Sequence, residues 1–259
     1  MRLSFLLLFQ GLFLAGCLPA STETSELGEF VDWLLEDGER LESVRFAEVV
    51  KATSGHVLLP VDPEDPVDAA MLDALALALA ESLVAFESGA HPVHGEGRIN
   101  EVSRHFEDAL LMRLNAVEGL NCGIPRTESG EAQRSGYPDL RLEHEASGRV
   151  FYLDPKVFKA GSEDSSFRTF YFEPKRETNK ILEDASHLTI GVAHRGKQGE
   201  RWRFEGWRIV DLSEFRVRLK AEFQASNREL YREDAVLRSE ASADSSDSSE
   251  ATIESKRRL

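Results

Sequence analysis

The chain has 259 residues, a formal net charge of −15, 41% hydrophobic and 30% charged residues, and two cysteines. That apolar content over that length is enough for a buried core, and two cysteines exclude a disulfide framework as the source of stability. The acidic balance excludes strong non-specific binding of a polyanion by the chain as a whole.

The first feature along the chain is an apolar run, Leu3 to Leu14, preceded by Arg2, broken only by Ser4, Gln10 and Gly11, and ending in Leu14-Ala15-Gly16-Cys17. It falls well short of the roughly twenty residues that span a bilayer, so a positive start and a short apolar stretch predict an export signal over residues 1–17. The ending resembles a bacterial lipobox. That resemblance implies lipidation of Cys17, a membrane anchor and a place in the cell envelope, in the periplasm or at the outer membrane. The alternative is a start site set too far upstream, which would leave a cytoplasmic protein. With Cys17 lipidated, Cys122 has no partner and the mature fold has no internal disulfide.

Residues 26–97 read as a mainly helical extension. Phe30 to Leu35, Val44 to Val50 and Ala69 to Phe86 place apolar residues at helical spacing, His56 to Pro60 suggests a short strand, and Asp62 to Pro66 a turn. His91 and His94 stand in a Gly- and Pro-containing loop as no more than a fragment of a metal site. Asn100 to Ala116 predicts an amphipathic helix with Val102, Phe106, Ala109, Leu110 and Leu114 inward and Glu101, Glu107 and Asp108 as acidic candidates.

Tyr137 to Leu142 and Arg149 to Phe158 both read as strands, joined by the turn-like Ala146-Ser147-Gly148, so the spacing predicts a hairpin. Side chains alternate across a strand, which puts Asp154 and Lys156 on one face and Phe151, Leu153, Pro155 and Val157 on the other. The hairpin can then bring Asp139 beside Asp154 and Lys156 on its polar side. Pro155 cannot donate a ladder hydrogen bond, so it requires a bulge or an open edge. Beyond the hairpin, Ser166 to Phe172 predicts a strand and Lys175 to His187 a helix. Leu188 to Ala193 and Trp202 to Leu212 come next as strands, and Ser213 to about Arg232 as a closing helix. From Glu233 the chain becomes rich in Ser, Ala, Asp and Glu, which predicts a disordered tail over residues 233–259.

Pro138-Asp139 followed by Asp154-Pro155-Lys156 resembles the motif of the PD-(D/E)xK nuclease superfamily, and the likeness extends over residues 98–232. It implies a restriction-endonuclease-like α/β fold, a mixed sheet flanked by helices. It further implies a Mg²⁺- or Mn²⁺-dependent endonuclease with Asp139, Asp154 and Lys156 as its catalytic group, acting on nucleic acid, most naturally DNA, and in some members as a homodimer. Metal ligands would be Asp139, Asp154, the carbonyl of Pro155 and one helix carboxylate, Glu101 in preference to Glu107. Arg168, Lys175 and Lys180 would face backbone phosphate. Hard carboxylate oxygens suit a hydrated divalent cation, which polarises phosphate, while an ammonium stabilises charge developing on it. A solvated strand face with an i, i+2 ion pair presents the same residues, so a catalytically silent binding module is the alternative.

Charge is unevenly placed. Residues 18–100 hold 4 Lys/Arg against 17 Asp/Glu, whereas residues 149–232 hold 17 against 13. The C-terminal half is therefore the half that suits phosphate contacts.

Overall fold

A computed structural model describes residues 26–36, 41–166, 169–220, 222 and 224–238. The expectations placed on residues 1–25, with Cys17, on Arg168 and on the tail past residue 238 lie outside them.

The elements in chain order are α1 (Glu26–Glu36), β1 (Val44–Arg45), α2 (Phe46–Ser54), β2 (Leu58–Leu59), α3 (Pro66–Phe86), a 3₁₀ turn (Pro92–Gly95) and α4 (Ile99–Leu114). Then come β3 (Leu120–Gly123), β4 (Leu140–His144), β5 (Arg149–Lys159), β6 (Ala185–Gln198), β7 (Arg201–Asp211), β8 (Arg216–Val217) and α5 (Asn227–Leu230). The main sheet runs β2-β6-β5-β4-β3, with β7 also paired to β6. β2 and β5 lie parallel to β6 and the remaining pairs are antiparallel, so the sheet is mixed. This is the α/β arrangement expected from the sequence. The described residues from Lys220 on form a separate compact unit, which contains α5 with Ser226 at its N-cap.

Strand alternation divides the core into two layers. Phe151, Leu153, Leu140, Leu142, Leu188, Ile190 and Val192 turn to one face and meet Met71, Leu75 and Leu79 of α3 and Phe106, Leu110 and Leu114 of α4. Val150 and Tyr152 turn to the other face and meet Phe46 and Val50 of α2, with Ile181 and Leu212. α3 is long and apolar enough to cross a bilayer by length and composition. Its Met71, Leu75 and Leu79 are nonetheless fully buried in the first layer, and its start is fixed by Asp65, which accepts from the N–H groups of Val67 and Asp68.

Parts of the stretch expected as a helical extension, β2 and α3, join the hairpin and the strands after it. β2 extends the main sheet through Leu58 and Leu59 against Ala185 and Ser186, and α3 packs on α4. The described residues up to Leu219 form one compact unit. The hairpin is present with Leu140 opposite Leu153 and His144 opposite Arg149.

Three expected elements are corrected. The stretch expected as a strand at 166–172 has no regular structure over its described residues, because Phe170 and Phe172 serve as plugs against Phe46, with ring centroids 5.1 and 5.5 Å away. The helix expected at 175–187 is an irregular crossover that ends where β6 begins at Ala185. It is held by side-chain bonds to the backbone, such as Asn179 Nδ2 to the Ile181 carbonyl at 3.0 Å. The closing helix from Ser213 is replaced by β8, where Val217 pairs with Val44 and Phe215 joins the Phe46 cluster. Cys122 is a buried free thiol whose pKa burial pushes up to about 12, which makes it an inert core residue.

Candidate active site

β4 begins at Leu140, opposite Leu153, while β5 continues beside β6 as far as Lys159. The two strands of the hairpin therefore part company at one end, and the polar group sits in that gap. Asp139 is held at the mouth by its own N–H, which donates to the Leu153 carbonyl at 3.1 Å. That bond also locates Pro155. Leu153 turns its carbonyl towards β4, so Pro155, two residues on, turns its missing N–H and its free carbonyl to the same side, beyond the end of β4. The open-edge requirement set by the proline is met there without loss of a ladder bond to β6.

Asp154 is 1% exposed, and the Lys156 ammonium lies 2.7 Å from its Oδ1 and 3.7 Å from Oδ2 of Asp139. The second oxygen of Asp154, Oδ2, is buried without a hydrogen-bond partner. Burial pushes the Asp154 carboxyl up to about 7 against the pull of Lys156, and Asp139 adds to the rise. Burial also works against the Lys156 ammonium, but the charges of Asp154 and Asp139 outweigh it and raise its pKa. As it stands, Lys156 is held as an ammonium that donates to Asp154.

Among the helix acids, Glu107 is the one near this group. Its carboxyl is pushed up first by burial and then by Asp139, and Arg134 holds it at 3.4 Å while also contacting Asp108 at 2.7 Å. Glu101 instead accepts from the Arg98 N–H at 3.3 Å, at the first turn of α4. The expected phosphate contacts divide. Lys175 is exposed and pairs with Glu173 at 3.0 Å, whereas Lys180 is buried and donates to the carbonyls of Gln133 and Gly136, so it faces a loop and not solvent.

Behind Asp139 lies a pair that no spacing in the sequence connects. The Tyr137 hydroxyl and His187 Nδ1 are 2.8 Å apart, both residues are buried, and Phe46 packs edge-on to the two rings. Burial pulls the His187 pKa down to about 3, so the ring is neutral and shares a single hydrogen bond with the hydroxyl. The signal that could have found the pair is weak: an aromatic directly before Pro138 and a histidine at the start of an apolar strand.

The donors suit a divalent cation. Two carboxylates, one with a buried oxygen that has no hydrogen-bond partner, offer hard ligands near the Pro155 carbonyl. Among the described residues, no three His, Cys, Asp or Glu side chains converge on one point as they stand; the Lys156 ammonium provides the local positive charge between the two aspartates.

Two aspartates and a lysine thus stand where a central hairpin of an α/β sheet opens. Residues 40–234 match the family model described as the Type II restriction enzyme MjaV family, and the chain belongs to that family. It is 32% identical over 207 residues, covering 76% of this chain and 89% of the relative, to the Type II restriction enzyme MjaV of Methanocaldococcus jannaschii. The match begins before α2, so it takes in the helices that precede the hairpin as well as the hairpin itself.

Proposed function

We propose that this protein is a divalent-metal-dependent DNA endonuclease of the PD-(D/E)xK type, with Asp139, Asp154 and Lys156 at its centre. One observation carries the reading: the Asp154–Lys156–Asp139 contact sits at the open end of the hairpin with one Asp154 oxygen unsatisfied. Kinship with a type II restriction enzyme supports DNA as the substrate.

Asp139, Asp154 and the Pro155 carbonyl would hold Mg²⁺ or Mn²⁺, with Glu107 favoured over Glu101 as the helix carboxylate. The bound ion supplies positive charge to the scissile phosphate and acidifies the attacking water. Lys156 turns its ammonium to the phosphate and stabilises the charge that gathers there. Arg134 fixes Glu107 in place, and Tyr137 with His187 fixes the chain that leads into Asp139.

The test is cleavage of double-stranded DNA, single-stranded DNA and RNA with Mg²⁺ or Mn²⁺ by the full chain and by its Lys156→Ala form. Metal-dependent cutting lost in the variant supports the reading; a folded wild-type protein that cuts none of the three with either metal refutes it and favours a silent binding module. Within the same assay, Glu107→Ala is expected to lower cleavage by about a hundredfold, as other lost site ligands do, and to raise the Mg²⁺ needed for half-activity. Glu101→Ala should cost less than about 1 kcal/mol of stability as a first-turn cap and leave cleavage intact. The reverse order would return the helix carboxylate to Glu101.

Envelope placement rests on the leader alone, since Cys17 precedes the family match. Cells grown with labelled palmitate should yield a labelled protein from the native sequence and an unlabelled one from Cys17→Ala. Absence of label in both would overturn the lipid anchor.

A further inference from the structure

The crossover from β5 to β6 carries a lysine whose ammonium does not reach solvent. Lys180 is 1% exposed, and its Nζ donates to the Gly136 carbonyl at 2.6 Å and the Gln133 carbonyl at 3.1 Å. Its own backbone is pinned on both sides. Asn179 brackets Ile181 through two bonds, Nδ2 to the Ile181 carbonyl and the Ile181 N–H to Oδ1. The Leu182 N–H donates to the Tyr152 hydroxyl at 3.1 Å, and Glu183 binds Arg141 through both oxygens. Ile181 is fully buried between these anchors. The base of the Lys180 side chain is therefore fixed, and so is the place where its ammonium stands.

That place lies under the turn leading into the site. Gly136, with φ +79°, ends the turn three residues before Asp139. Only Gly takes that conformation freely, so the carbonyls of Gln133 and Gly136 point where a non-covalent tie must satisfy them. Burial pulls the Lys180 pKa down to about 8, against the carboxylates of Asp139, Asp154 and Glu107, which favour the ammonium. Phosphate contact would require the ammonium to leave two carbonyls and cross a packed interior.

We propose that Lys180 is a positioning residue: by tying the Gln133–Gly136 turn to the pinned 179–183 segment it sets where Asp139 stands, and it takes no substrate phosphate. The catalytic consequence rests on the nuclease reading, whereas the tie itself does not.

Two variants separate these. Lys180→Met keeps the stem and removes the donors, leaving two buried carbonyls unpaired. Lys180→Arg restores donors and charge. Both are compared with the wild type by far-UV circular dichroism, by amide hydrogen exchange over 133–139, by DNA binding in Ca²⁺ across a salt series, and by cleavage kinetics in Mg²⁺. With Lys180→Met we expect faster exchange over 133–139 and a kcat lower by about a hundredfold, the scale of a 1 Å misplacement. DNA affinity and its salt slope should be unchanged, and Lys180→Arg should recover part of both losses. A phosphate contact predicts the opposite pattern: weaker binding, with the log–log salt slope shallower by about 0.9, and unchanged exchange. Unchanged exchange in folded Lys180→Met overturns the proposal. So does a loss of binding slope. If Lys180→Met does not fold, Lys180→Gln, which removes the charge and shortens the reach to the two carbonyls, decides by the same two measurements: faster exchange with an unchanged salt slope supports the tie, and unchanged exchange overturns it. If the wild type cuts nothing, the nuclease reading fails and the exchange data still decide the tie.

Discussion

Asp154→Asn is expected to abolish metal-dependent cleavage, by about a thousandfold or more, and at the same time to raise the melting temperature of the metal-free protein at pH 8. The carboxyl is almost fully buried and one of its oxygens has no partner. Burial pushes its pKa up to about 7 from the ordinary 3.8. The folded state therefore binds the extra proton across this window. The stability Asp154 contributes is complete below about pH 4 and is lost as pH rises through about 7. His187 acts in the opposite sense, with a folded pKa pulled down to about 3 from 6.5, so its contribution is present above pH 6.5 and lost as pH falls towards 3. His187 is common to both proteins and cancels in their difference. The variant's advantage in melting temperature should thus be small at pH 5 and larger at pH 8. Mg²⁺ should stabilise the wild type and not the variant, since binding to the folded state alone shifts unfolding. Calorimetric scans at the two pH values check this; a variant that melts at or below the wild type at pH 8 contradicts the picture of a strained, metal-seeking carboxylate.

The second large effect is expected far from the chemistry. Asp68, in the first turn of α3, is fully buried; Arg149 Nη1 stands 3.0 Å from its Oδ1 and 3.2 Å from its Oδ2, and the Asp62 N–H donates to Oδ2 at 2.9 Å. Arg149 begins β5, so this contact joins the helix layer to the strand that carries Asp154. Arg149→Met would leave a buried carboxylate with a single backbone donor, at a cost of about 3 kcal/mol. The double variant with Asp68→Asn should lose less than Arg149→Met alone, because the stranded charge goes with its partner. Urea unfolding of the three proteins checks both statements. A single-variant loss under about 1 kcal/mol, the scale of an exposed pair, would show that the pair is effectively solvated.

The parts of the fold legible in the sequence are those whose pattern is local. α4 follows from Val102, Phe106, Leu110 and Leu114, all fully buried on one face. The hairpin follows from alternation in β5, and with it the shared face of Asp154 and Lys156. The elements that escaped depend on partners distant in sequence. Phe215 and Leu219 have helical spacing, yet Phe215 packs on Phe46, 169 residues earlier, and the Leu219 N–H donates to the Leu41 carbonyl. Phe170 and Phe172 alternate like strand residues because both reach one ring, with no ladder to join. β3 is four residues containing Asn121 and Gly123, too short and too weakly β-forming to stand out. In the site, Asp139, Asp154 and Lys156 meet through strand pairing, which spacing foretells. The choice of Glu107 over Glu101 depends on how α4 turns against the sheet, and Lys180 points inward because of a crossover no periodicity describes.

Pro155 has a meaning beyond the site it interrupts. Among the described residues, no strand pairs with the outer side of β5 past Leu153, the kind of edge onto which an unfolded segment or a neighbouring molecule can zip. A residue with no N–H to offer breaks the row of donors at the first unpaired position, so a stray strand finds no template there. The gap where DNA would enter is thereby kept clear of polypeptide. An alanine in its place would cost the fold little and make the mouth of the protein sticky to its own kind.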